Sequence, residues 1–337
     1  MNTKYMQFIL GITISIICLW LTFRNIQVQD VLHAISTING WYILAGFFSL
    51  CCAYLIRISR WMYILSSHNL ATRLRDYASV FLSSIALNNV LPFRIGDMMR
   101  VLLFPPVIGV TKTQAAASLV VERISDVITL LIFLSIGLLC NPTLNIPSGL
   151  IHALIGLGVI TLMLIVVYFL FQKRLYDLCV KLNTFFLIKK YTKRQRISIT
   201  ILQVLDSFTA MSMGEKLINL LLLSSLSWIS EAGLFWFLLH AFAMPDVSVS
   251  KALIVLSTTV LSTLVPSAPG YVGTFHLVAA STALMLGANN IQAAGFAVVT
   301  HFCLWLPTTL AGIIAMLCKP TLFTFFKGFQ TNHESKL

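Results

Sequence analysis

A chain of 337 residues that is 58% hydrophobic and only 10% charged, with a mean hydropathy of +0.89, falls outside the range of soluble domains, in which about a quarter of residues are charged. Its net charge of +12 comes from 23 Lys and Arg against 11 Asp and Glu. Those cations gather between apolar runs, which argues against a nucleic-acid surface and for cytoplasmic orientation and attraction to anionic headgroups. Seven cysteines, at 18, 51, 52, 140, 179, 303 and 318, lie in or beside apolar segments without C-x-x-C or Cys/His spacing, so no disulfide framework and no metal site follow from them.

The first apolar run, 6–23, has one lysine before it and Arg24-Asn25 directly after it. It lacks a small-x-small cleavage site and reads as a retained span. The second run is 40–56, and the basic stretch 57–76 follows it with four arginines. Next comes an apolar segment over 77–91, fifteen residues long. As a helix it is about 22 Å long, too short for a hydrocarbon core of roughly 30 Å. It stops at Pro92, which cannot continue a helical ladder, and Gly96 is read as reversing the chain. Runs of spanning length resume at 113–140 and 150–171. A basic insert over 173–216 holds nine Lys and Arg, in which a surface-lying helix and a solvated connector are both open. The fifth run is 217–243. A second fifteen-residue segment, 251–265, ends at Pro266 before Gly270, and the sixth run is 291–318.

The expected fold is therefore all-α: a polytopic membrane helical bundle of about six spans plus two re-entrant helical hairpins. One integral membrane domain fills 1–337. Its first half, about 1–172, contains the hairpin 77–104. The insert 173–216 and a second half, 217–320, with the hairpin 251–287, come next, and the polar tail 321–337 ends the chain. Basic loops follow the second, fourth and sixth runs, while 141–149 and 244–250 carry no Lys or Arg. Both termini in the cytoplasm satisfy every one of these asymmetries.

The two halves are related. Residues 109–123, GVTKTQAAASLVVER, match 287–301, GANNIQAAGFAVVTH, without a gap and with six of fifteen positions identical. Each copy follows a Pro-x-x-x-Gly break. The charge-derived topology puts the two hairpins on opposite sides and runs their companion spans in opposite directions, so the repeat is expected to be inverted. Paired interrupted segments in two halves point to a transport site. Irregular backbone at membrane depth needs surrounding protein or a water-filled cavity, so the hairpins are expected to meet inside the bundle.

Candidate chemistry concentrates in the first half. Glu122, Arg123 and Asp126 interrupt an apolar run, and ionised groups there cost about 2.5–3.5 kcal/mol each on insertion scales, which turns them inward. Glu122 and Asp126 stack at i,i+4, and Arg123 and Asp126 are close enough to pair at i,i+3. That leaves acid to bind a cation, hold a proton or meet a second arginine; the competing reading is an ion cluster that locks packing. Glu231 stands alone in its run, as partner of a buried arginine or as proton carrier. Arg94 and Arg100 offer the paired donors that grip phosphate, or are ordinary loop charge, and a helix starting near Gly96 would add amides and a favourable dipole. Asn88 and Asn89 suit free backbone groups at the break, with ligand contact the other reading. In the second half His301 takes the repeat position of Arg123, with packing and function both open. His276 lies nearby, and Tyr271, Trp228, Trp236 and Trp305 read as core or interfacial aromatics. No common catalytic motif is visible, and no enzyme activity, cofactor or metal is expected.

The runs NNVLPFRIGDMMR, GVTKTQAAASLVVERISD and LVPSAPGYVG resemble the lysylphosphatidylglycerol synthase transmembrane-region family over almost the whole chain. The resemblance implies an integral bundle with re-entrant helices that acts as a lipid flippase module. It carries Arg94, Gly96, Asp97, Glu122, Arg123 and Asp126 as the first motif, and Pro266, Gly270 and Gly273 as the second. An acidic residue often found after those glycines is replaced here by Phe275-His276, which puts an acid-dependent step at that hairpin in doubt. The aminoacyl-transferase domain of the two-part synthases is not expected in a chain that stops at Leu337, so lysine transfer is not assigned.

The expectation is a multi-pass protein of the inner or plasma membrane that moves an anionic phospholipid or a polyprenyl-phosphate lipid between leaflets in envelope biogenesis. Arg94, Arg100 and Arg123 would neutralise phosphate while Glu122, Asp126 and Glu231 manage counter-charge or protons. The rival readings are an accessory protein for an envelope glycosyltransferase and an intramembrane lipid-modifying transferase. Expected partners are the lipid, the membrane, and either a second copy of the chain or an envelope-biosynthesis enzyme, with no nucleic acid.

Overall fold

The computed structural model describes residues 3–24, 26–65, 73–142, 215–265 and 267–322, plus a few single positions between 144 and 203. The expected span 150–171, nearly all of the insert 173–216, Pro266 and most of the tail 321–337 lie outside the described residues.

The described chain is all-α. Its helices are α1 (Thr3–Phe23), α2 (Val28–Ser36), α3 (Gly40–Leu65), α4 (Leu74–Val90), α5 (Ile95–Leu102), α6 (Lys112–Leu139), α7 (Glu215–Ala241), α8 (Val249–Ser262), α9 (Thr274–Met285) and α10 (Asn290–Cys318). Three of them, α3, α7 and α10, are long and apolar enough to cross a membrane. α6 has the length, 28 residues, but Glu122, Arg123 and Asp126 interrupt its apolar window. α4 and α8, with 17 and 14 residues, are about 25 and 21 Å long and stay short of a full crossing. The bilayer reverses the usual polarity of a globular fold. Trp41, Phe48, Leu139 and Leu317 are 70%, 71%, 79% and 71% exposed, whereas Arg60, Arg100 and Glu122 are 1%, 4% and 3% exposed.

Two elements differ from the sequence expectation. The helix expected to end at 56 continues to Leu65, because no breaker intervenes and Ile58, Trp61, Ile64 and Leu65 keep a buried apolar stripe. A short helix, α2, follows the first run, and the apolar part of α1 meets it at a 76° bend.

The repeated segment has a common local structure. Gly109 and Gly287 take positive φ, 72° and 99°, and each leads into a reciprocal N-terminal box. At α6 the Thr111 hydroxyl accepts from the Gln114 amide (3.2 Å) while Gln114 Oε1 accepts from the Thr111 amide (2.8 Å). At α10, Asn289 and Gln292 make the same exchange at 2.8 and 3.0 Å. Identical Gly and Gln at these positions thus encode the same helix start twice.

Small residues set the helix contacts. Gly46 and Gly233 join α3 to α7, against Leu234 and Ser49, and the Ser49 hydroxyl donates to the Ser230 carbonyl. Packing across the halves is exchanged. Gly312 of α10 lies against Leu82 and Ala86 of α4, and Gly137 of α6 lies against Ser250 and Ile254 of α8. Each short helix before a break therefore rests on the long helix of the other half. Close backbone approach through small residues is the usual packing device where lipid removes any hydrophobic drive between helices.

Candidate functional site

Four arginines and four carboxylates form one network, in which Arg57, Arg60 and Arg100 are buried and Arg123 is partly exposed. Arg57 of α3 pairs with Glu231 of α7 at 2.6 Å. Arg60, one turn further, donates to Asp126 at 2.6 and 3.3 Å and to the Ser224 hydroxyl at 2.7 Å, and lies 3.6 Å from Glu122. Arg100 of α5 pairs with Glu122, and Arg123 pairs with Asp97 at 2.7 Å. Aromatic faces cover the guanidinium groups: Arg57 sits 4.1 Å from the Trp228 ring and Arg100 sits 3.8 Å from Trp61. Trp228 Nε1 donates to Asp126 (2.9 Å) and Trp61 Nε1 to Ser118 (3.1 Å). Burial of so many charges is tolerable because each has an opposite partner, and hydrogen bonds or ring faces add to most of these pairs.

Two sequence expectations change here, and two others take one of the readings left open. Arg123 and Asp126 do not pair with each other; they point to Asp97 of α5 and Arg60 of α3. Arg57 and Arg60, read as loop charge, are buried within α3 at 8% and 1% exposure. The acid left over by a lone Arg123 is matched in number by arginines from α3 and α5. Glu231 is the partner of a buried arginine, as one of its two readings held. Trp228 is a hydrogen-bond donor of the network as well as a core aromatic.

The two broken hairpins meet at their tips. In the first, α4 runs into Pro92, and Phe93 and Arg94 take left-handed backbone angles with φ of 60° and 52°. The reversal is therefore made by these two residues. Gly96 serves close packing instead, since a Cβ there would collide with the Ser84 carbonyl. Asn88 Oδ1 accepts from the Asp97 amide (3.1 Å) and Asn88 Nδ2 donates to Asp97 Oδ1 (2.8 Å). Asn88 thus occupies an amide at the start of α5 that was expected to face a phosphate.

In the second hairpin Gly270, Tyr271 and Gly273 have φ of 69°, 59° and 96°. Gly270 leaves no room for a side chain: a Cβ would lie 2.9 Å from Trp305 Nε1 and 3.1 Å from the Asn89 carbonyl oxygen. Trp305 Nε1 itself donates to that Asn89 oxygen (3.2 Å), and Asn89 Nδ2 donates to Thr308 (3.0 Å) and Thr309 (2.9 Å). His301 Nε2 lies 2.7 Å from the Gly270 carbonyl oxygen, with the His276 ring 4.6 Å from its own. Both histidines therefore brace the second tip. α1 closes one side, where Ser15 accepts from the Ala268 amide (2.8 Å).

Between the tips and α1 lies a pocket of about 490 Å³ whose walls include Gly11, Asn88, Phe93, Arg94, Leu264 and Tyr271. Arg94 Nη2 donates to the Thr263 carbonyl (2.9 Å), and its guanidinium lies 5.7 Å from the Tyr271 ring. Among the described residues no carboxylate pairs with Arg94. The charges expected at one site therefore separate into a pocket cation, Arg94, and a paired interior network.

The family model described as Lysylphosphatidylglycerol synthase TM region matches residues 8–312. The chain belongs to this family. No curated protein gives a significant match. Membership agrees with the apolar helices in making this a membrane protein and links it to lipid or envelope function. Among family-motif residues, Arg94, Gly96 and Asp97 lie at the first tip, and Gly270 and Gly273 at the second. Glu122, Arg123 and Asp126 belong to the network, to which Asp97 also contributes.

Sequence reasoning missed Arg57, Arg60 and Trp61. The signal that would have found Arg57 and Arg60 is their i,i+3 spacing within an apolar stripe that runs on unbroken to Leu65.

Proposed function

We propose that this protein moves an anionic lipid, a phospholipid or a polyprenyl-phosphate lipid, between membrane leaflets, without changing it covalently. The observation that carries the reading is the pocket between the two hairpin tips, with Arg94 on its wall and no carboxylate opposing it among the described residues. Arg94 grips the lipid phosphate in two parallel hydrogen bonds while the acyl chains stay in the bilayer. Arg57, Arg60 and Arg100 keep their carboxylates, so the paired network holds the helices around the pocket rather than binding substrate. Arg123 is the exception within the network. Its side chain is 44% exposed, and it is the second group that can reach a phosphate.

In the topology proposed, six spans place both termini in the cytoplasm and the halves are inverted, so the two tips enter from opposite sides and meet at mid-depth. The exchanged packing of α4 on α10 and of α8 on α6 supports this arrangement. Rocking one short helix on the long helix of the other half would open the pocket to one leaflet at a time, the alternating access expected of repeat-built transporters.

The test is a liposome assay with a fluorescent phosphatidylglycerol, scored by how much label becomes accessible to a membrane-impermeant quencher. Lipid crossing that falls roughly 10- to 100-fold in Arg94→Gln, the worth of one charged hydrogen-bond pair, supports the proposal. Unchanged crossing in that variant, covalent alteration of the lipid, or no crossing with any anionic lipid overturns it.

A further inference from the structure

A second hollow, of about 560 Å³, opens between α4 and α10 at the ends remote from the hairpin tips. The two helices are antiparallel here: Asn89 meets Thr308 and Thr309 at one end, and Asp76 meets Lys319 at the other. Thirteen residues of α4 separate the two levels, about 20 Å along the helix. The rim carries Arg73, Arg75 and Lys319 against the single carboxylate of Asp76, so two positive charges are in excess. Lys319 holds Asp76, and among the described residues neither Arg73 nor Arg75 has a carboxylate partner. Both arginines are exposed.

Below the rim, past Ser79, whose hydroxyl is taken up by the Asp76 carbonyl, the walls are apolar: Leu82 on α4, and Ala311, Ile314 and Ala315 on α10. The outer face of α10 continues the apolar surface through Leu310, Ile313, Ile314 and Leu317, which are 48%, 41%, 57% and 71% exposed, and this face ends at Lys319. Cations therefore begin at the level where the apolar face stops, as a lipid–water boundary requires. An apolar cleft capped by unneutralised arginines matches one class of ligand, an acyl chain joined to an anionic phosphate.

The geometry points to a binding site for one anionic phospholipid, its phosphate between Arg73, Arg75 and Lys319 and one acyl chain along Leu82, Ala311, Ile314 and Ala315. The site does not depend on transport and is separate from the pocket at the hairpin tips. Arg73 and Arg75 supply the attraction, and the α4–α10 cleft supplies selection for a lipid over a soluble anion.

The test uses the full chain carrying Arg94→Gln, so that the pocket at the tips adds little, titrated in detergent with short-chain phosphatidylglycerol. Short-chain phosphatidylcholine and inorganic phosphate are titrated in parallel. Phosphatidylglycerol is expected to bind more tightly than either. Each basic residue near a charged surface is worth roughly fivefold in affinity, so Arg73→Gln with Arg75→Gln lowers binding about 25-fold. Lysine at both positions restores most of it, and Ala315→Trp, which fills the cleft, weakens the lipid and leaves inorganic phosphate untouched. Unchanged melting of the Arg73 and Arg75 variants shows that they are folded, as expected of exposed residues. Equal binding of phosphatidylcholine, binding of inorganic phosphate as tight as that of the lipid, or unchanged affinity after loss of both arginines overturns the assignment. Failure of lipid transport in the Arg94 experiment leaves this result unaffected, so the two proposals fail separately.

Discussion

Arg60 is the test of the interior network. It is 1% exposed and touches Asp126, Ser224 and Glu122, so it joins α3 to α6 and α7. Methionine at this position keeps much of the volume and removes the charge. Asp126 then retains only the Trp228 hydrogen bond and Glu122 only Arg100, which leaves the Asp126 carboxylate without a hydrogen-bonded cation. Removing one partner of a buried pair costs about 3–5 kcal/mol, mostly from the stranded charge. With an unfolding entropy of about 2.1 cal/mol/K per residue, that corresponds to a fall of roughly 4–7 °C in the melting midpoint. Heating purified protein in detergent and scoring the monodisperse fraction reads this directly. Asp126→Asn alone is also expected to destabilise, but Arg60→Met with Asp126→Asn should lose less than the sum of the two, by roughly 1–3 kcal/mol, because neither partner is then left charged and alone. If Arg60→Met melts no lower than exposed Lys112→Met, or the two losses simply add, the interior is not held by these pairs.

Gly270→Ala forces a side chain into positive φ and against the Trp305–Asn89 hydrogen bond, and is expected to cost about 1–3 kcal/mol and to loosen the joint between the tips. Faster hydrogen exchange at residues 88–95 and 268–273 checks it. Asn88→Ala strips the Asp97 amide and carboxylate of their shared partner, with an expected loss of about 1–3 kcal/mol. Measured melting should show it, and Asn88→Asp should not rescue it, since a second carboxylate would face Asp97.

What the sequence made legible was the part written in strong local signals. Pro92 and the two short apolar segments announced broken helices, and charges inside an apolar run announced an inward face. The repeated Gly and Gln announced two like helix starts. The long-range partners were illegible for a physical reason. Arg57 and Arg60 look like the end of a span when counted as charge, and only the carboxylates of α6 and α7, far away in sequence, make their burial favourable. The reversal at the first tip was hidden as well. Phe93 and Arg94 bear no mark of a left-handed conformation, and Gly96, the expected turn residue, is needed where α5 presses on α4. Arg94 and Arg100 look alike in sequence, yet Glu122 takes one and leaves the other facing the pocket.

Locking the hairpin tips together shows whether anionic lipid passes between them. Phe93→Cys and Leu264→Cys, in a background without other cysteines, place one thiol on each hairpin in the lining of the pocket, at residues that are 53% and 55% exposed. A short reducible thiol linker joins them in liposome-embedded protein, and movement of fluorescent phosphatidylglycerol is followed before and after reduction. Lipid crossing is expected to stop in the linked protein and to return when the linker is cleaved. Crossing at the same rate in the linked and the reduced protein would contradict passage between the tips.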